Sequence, residues 1–195
     1  LSAYARAQEQ YAAHGITTIQ DGMAVEEMFP MYQMLLDSGI LKLDLVVYPS
    51  PQAYDAAVER FGALPPERHL RIGGMKVYLD GSPQGRTAWM REPYAGETDY
   101  RGYGTMEDAA LEEAMELACL RRTQLLCHCN GDGAAEQFLR CLARVEQKHP
   151  EMAQLRPVII HGQLLAPDQL PRVKELGAVV SFFVAHVYHW GCLLY

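Results

Sequence analysis

About six times along this chain a short apolar segment gives way to one with helical spacing, and that alternation limits the fold more than any other feature. GITTIQDG (15–22), ILKLDLVVYPSP (40–51), the run around Lys76, QLLCHC (124–129), PVIIHGQ (157–163) and AVVSFFVAH (178–186) read as strands. Residues 2–14, 24–38, 53–62, 105–122, 131–150 and 166–177 read as helices, several closed by a glycine or proline. Strands that alternate with helices build a parallel sheet with helices outside it, and strands as continuously apolar as LVVY and VVSFFV suit burial on both faces. A closed (β/α)8 barrel needs about 250 residues, so 195 residues predict a partial barrel, with a doubly wound open sheet as the structural rival.

Each predicted strand ends in polar or ionisable residues: Gln20 and Asp21, Lys76 with Asp80, His128 with Asn130, His161 with Gln163, and His186. Ligand sites of parallel α/β folds lie at those carboxyl ends. The two-residue period sets Lys76, Tyr78 and Asp80 on one strand face, Leu126, His128 and Asn130 on another, and Ile159, His161 and Gln163 on a third. Were those faces to point into a barrel, Lys76, His128 and His161 would converge, and neutral imidazole is the commonest ligand of zinc-like ions. Each residue also has a plainer role open to it. A strand-end histidine can be a hydrogen-bonded core residue, and Lys76 can snorkel from a strand edge.

Residues 81–104 carry many glycines and prolines without periodicity, which predicts a binding loop or lid. Cys127 and Cys129 should point away from His128, so CHCNGD is not a zinc knuckle, and the GDG that follows is only a weak phosphate-turn signal. A net charge of −7 argues against nucleic acid or an anionic membrane as partner. No apolar run is long enough to span a bilayer, and five cysteines without C-x-x-C spacing suit a reducing, cytoplasmic setting.

GITTIQDG (15–22), GGMKVYLDGSPQGRTAWMREPY (73–94), HCNGDGAAE (128–136) and HGQLLAPDQLPRVKELGAVVSFFVAH (161–186) together resemble the metal-dependent amidohydrolase superfamily. The resemblance is to its amidohydrolase 3 branch, which includes N-substituted formamide deformylases. It implies an α/β fold, a partial (β/α)8 TIM barrel of about strands two to seven, forming one catalytic domain over 1–195 with parts of the parent protein on either side. It also implies that Lys76, His128 and His161 bind a divalent metal, zinc or a similar ion, one or two per complete protein. Lys76 would be carboxylated, its burial lowering the amine pKa toward reactivity. The reaction implied is hydrolysis of C–N bonds in linear or cyclic amide-like small molecules by metal-activated water, with Asp80, Arg86, Trp89, Tyr94 and His186 facing substrate. The first-strand H-x-H pair and the general-base aspartate of the family have no match here, so no catalytic residue is assigned and the chain alone is expected to be inactive and to self-associate. A Schiff-base lyase using Lys76, and a ligand-binding module without chemistry, are the competing expectations.

Overall fold

The computed structural model describes residues 1–194, with side chains described as far as Gly191, so the side chain of Cys192 lies outside the described residues. The chain divides into two compact units, residues 1–76 and 77–195.

In the first unit α1 (Ser2–Ala13), β1 (Thr18–Ala24), α2 (Phe29–Ser38), β2 (Asp44–Pro49), α3 (Tyr54–Phe61) and β3 (Leu70–Ile72) follow one another. The strands form a parallel sheet in the order β1-β2-β3. Its core is aromatic. Phe61 meets Phe29 and Tyr32 edge-on, with ring centroids 5.5 and 6.1 Å apart. Burial of each such ring contributes about 2 kcal/mol. Tyr32 also donates its hydroxyl to Asp21 Oδ2 at 2.9 Å, so the aspartate that the sequence places at a strand end holds α2 against β1.

The second sheet has the order β4-β5-β6-β7. It comprises β4 (Met75–Tyr78), whose first residues belong to the first unit, β5 (Leu125–Cys129), β6 (Val158–His161) and β7 (Val179–Phe182). β5, β6 and β7 run parallel. Between them come α4 (Asp108–Arg121), α5 (Asp132–Lys148), a 3-10 helix (Pro150–Leu155) and α6 (Leu170–Glu175), with α7 (Ala185–Leu194) after β7. Leu111, Met115, Phe138, Leu139, Leu142, Leu125 and Ile159 are fully buried, which is the all-apolar sandwich expected where helices cover a parallel sheet.

Three features differ from the sequence-based expectation. The strand predicted over 178–186 ends at Phe182, and His186 lies in α7 rather than at a strand end. An apolar run of this length does not distinguish strand from helix. β3, three residues long and preceded by Pro65 and Pro66, is too short to show a period and goes unpredicted. The helix predicted over 24–38 begins at Phe29, because β1 continues to Ala24 and a 3-10 turn over Glu26–Met28 intervenes.

Candidate metal centre at the strand ends

In the second unit β5 and β6 present two histidines to each other. His128 Nε2 lies 2.8 Å from the carbonyl oxygen of Gly81, and since a carbonyl only accepts, Nε2 must carry the proton. The lone pair of the neutral ring is then on Nδ1. Asn130 Nδ2 donates to the same carbonyl at 2.7 Å, which accounts for its 3.1 Å approach to His128 Nε2: both are donors sharing one acceptor. The His161 ring meets His128 edge-on at a centroid distance of 4.7 Å, and Tyr78 flanks His128 at 5.1 Å.

That meeting does not come from the regular pleat. The register pairs Cys129 with His161 and His128 with Ile160, so an unbroken β6 would turn the two imidazoles to opposite faces. At His161, however, φ is +76°, followed by +53° at Gly162. The left-handed pair ends the pleat and brings the His161 ring to His128. Gly162 has to be glycine, since a Cβ there would approach Val180 Cγ1 to 2.8 Å. A histidine held in a sparsely populated region of backbone space is a cost that packing must offset, and such positions cluster at functional sites.

Asp80 organises the surrounding backbone. It is 3 % exposed, and its oxygens accept from the amides of Asn130 (2.9 Å), Gly131 (2.7 Å) and Trp89 (3.0 Å). Burial pushes its carboxyl above the usual range, while the three amides and the nearby His128 pull the other way. The aspartate therefore fixes the 81–104 loop to the start of α5. The GDG turn serves the same end. A Cβ on Gly131 would fall 2.0 Å from the Trp89 oxygen, and that oxygen accepts from Gly133 N at 2.9 Å, so the helix start is capped by the chain itself and not by a phosphate.

The loop carries the other expected residues in its own network. Arg86 pairs with Glu97 and lies over the rings of Tyr94 and Tyr100, at 5.5 and 5.8 Å from their centroids. Tyr94 donates its hydroxyl to Ala88 O at 2.8 Å, and burial pushes its phenol up to about 12. His186 on α7 stands 5.8 Å from the His161 ring and 4.6 Å from that of Phe183, and burial lowers its pKa. Sequence reasoning missed Arg91. It bonds Asp132 (2.9 Å) and, through both terminal nitrogens, Asp168 (2.8 and 2.9 Å), tying the loop to α5 and to the turn before α6. An arginine in an aperiodic loop with acids far along the chain gives no sequence signal.

Lys76 lies at the end of the first unit on β4, only 8 % exposed. Gly22, near the end of β1, leaves room for it, since a Cβ there would stand 3.6 Å from Lys76 Cδ.

Parallel strands alternating with helices, and imidazoles gathered where strands end, define an α/β chain of the metal-dependent hydrolase type, part of a (β/α)8 barrel. The chain belongs to the amidohydrolase family, which matches it over residues 1–193. Solved structures described as an uncharacterized metal-dependent hydrolase from Pyrococcus furiosus and one from Pyrococcus horikoshii OT3 superpose with TM-scores of 0.80 and 0.79, at 28 % and 26 % identity over 97 % of this chain. "Putative amidohydrolase YtcJ" of Bacillus subtilis (strain 168) is 27 % identical over 125 residues, 63 % of this chain. The matches span 39 % and 38 % of the two solved chains and 23 % of the Bacillus protein.

Proposed function

We propose that the protein is a metal-dependent hydrolase acting on C–N bonds of linear or cyclic amide-like small molecules. His128 and His161 would hold a divalent ion of the zinc type, one or two per protein, joined by a carboxylated Lys76 as the family resemblance implies. The observation that carries this reading is the His128 ring. Its Nε2 proton is bound by Gly81 O, so the other nitrogen is left basic, the arrangement that ligating histidines use. The neighbouring imidazole of His161 adds a second donor of the kind a borderline ion accepts.

When bound, the cation would supply Lewis acidity, acidifying water and polarising a carbonyl. The chain's own residues do the positioning. Gly81 O fixes the His128 tautomer, Asp80 holds the loop backbone through three amides, and Arg91 anchors the same loop. Arg86, Trp89, Tyr94 and His186 are proposed to face substrate. Asp80, with its oxygens filled by amides, acts instead as a positioning residue. We further propose that both units belong to one catalytic domain, which the single family match through 1–193 supports, and that the protein works in the reducing cytoplasm, in keeping with the reduced thiols of Cys119 and Cys141. No helix among the described residues is long and apolar enough to cross a membrane.

Elemental analysis of the intact protein tests the reading. Divalent metal at the strand ends is expected, so His128→Ala and Lys76→Ala should each lower the metal content of the intact protein, with amide hydrolysis abolished by chelator. A carbamate carbon signal after growth on labelled bicarbonate, absent in Lys76→Ala, would identify the carboxylated lysine. A protein that retains no metal under any preparation would overturn the proposal.

A further inference from the structure

The last turn of α4 meets the bend between α5 and the 3-10 helix over Pro150–Leu155. Cys119 on α4, His149 immediately after α5 and Glu151 in the first turn of the 3-10 helix bring one ligand atom each to within 4.8 Å of one another. His149 Nδ1 and Glu151 Oε1 are 3.4 Å apart. Two zinc bonds of about 2.0–2.1 Å at a tetrahedral angle set their donors about 3.3 Å apart, so this edge already has the length a tetrahedral ion requires. Cys119 Sγ, 5 % exposed, lies 3.3 Å from the thioether sulfur of Met152, which is fully buried. Glu116, Cys119, Arg122, His149 and Glu151 are among the residues that line a cavity of about 450 Å³, which gives an ion a route to the three donors.

We propose that Cys119, His149 and Glu151 form a second metal site, for a thiophilic divalent cation of the zinc type, with the Met152 thioether beside it. Thiolate, imidazole and carboxylate are the three donor types zinc accepts in proteins, and the thiol releases its proton to solvent as the sulfur–metal bond forms. Burial, and after it the carboxylates of Glu151, Glu116 and Glu146, push the Cys119 thiol up to about 11. Lys148 pairs with Glu116 at 3.0 Å and Arg122 also lines the cavity, which leaves Glu151, beside His149, as the carboxylate for a cation. The contrast with Asp108, Glu112 and Cys141, another acid and thiol cluster in the same unit, is instructive. There Arg140 and Arg144 already occupy the carboxylates at 2.8–3.0 Å, so the positive charge is in place.

The test is cobalt substitution. Metal-stripped protein titrated with Co2+ is expected to develop an intense thiolate-to-cobalt charge-transfer band that saturates, which Cys119→Ser removes. Because Cys119 is buried, the half-exposed partners give a second measure: His149→Ala and Glu151→Gln should each weaken Co2+ binding, read from the same band, by about tenfold or more. His128→Ala should leave the band intact, which separates this site from any metal at the strand ends. Absence of the band in the wild type, its persistence in Cys119→Ser, or its loss in His128→Ala would overturn the proposal.

Discussion

The carboxylate of Asp80 has two oxygens and three amide donors, so a substitution that keeps its shape while removing its charge is the sharpest probe of the loop. Asparagine offers one oxygen and turns an NH2 group toward amides that need acceptors. Asp80→Asn should therefore destabilise the protein by about 2–4 kcal/mol, read from urea unfolding midpoints. A loss under 0.5 kcal/mol would show that the amides find other acceptors. Gly131→Ala tests the same contact sterically. Its Cβ would overlap the Trp89 oxygen, and since both partners are backbone neither can swing away, so about 2 kcal/mol and increased proteolysis within 81–104 are expected. At this scale the sequence revealed types but not roles. Lys76, Asp80, His128 and His161 stand out as polar residues among apolar ones, but the three backbone amides that Asp80 accepts from have no sequence signal. His128 and His161 meet because φ at His161 is positive, and a two-residue period cannot display that.

Between elements, α4 and α5 are cross-linked by charge. Asp108, at the start of α4, bonds Arg140 at 2.8 Å and Arg144 at 3.0 Å on α5. Arg140's hydrogen bonds hold the Asp108 carboxyl down to about 2, against the upward push of burial. A carboxyl depressed in the folded state contributes stability that is fully present above its unfolded value, 3.8, and is lost as the pH falls toward about 2. With solvent screening at this half-exposed pair the contribution is about 1 kcal/mol. Thermal unfolding between pH 5 and pH 2 should show that loss in the wild type and a flatter acid limb in Arg140→Ala; equal slopes would discard the coupling. The elements themselves were largely legible, because helices such as α5 carry a clear 3.6-residue stripe and stop at a proline or glycine. Legibility failed where length or composition removed the signal. β3 has only three residues, and the apolar run through 178–186 carries a strand and the start of a helix without a polar break.

For the molecule as a whole, the distribution of apolar surface is the property still to be tested. β7 is the last strand of its sheet, and on it and just beyond it Phe182, Phe183, Val184, Val187 and Tyr188 are all exposed. An edge strand offers unpaired backbone groups as a template for another strand, and a cluster of large apolar side chains adds a hydrophobic drive to the same place. The net charge of −7 opposes association, but at physiological salt its repulsion is screened beyond about 8 Å, whereas contact burial is not. The 195-residue chain is therefore expected to sediment as larger species as its concentration rises, more strongly in high salt, where charge repulsion weakens further. Val184→Asp with Tyr188→Asp should shift that association to higher concentration while leaving the folded signal unchanged, since both side chains are exposed and contribute little to the core. A chain that stays monomeric at high concentration and high salt would mean that this apolar face is not self-adhesive.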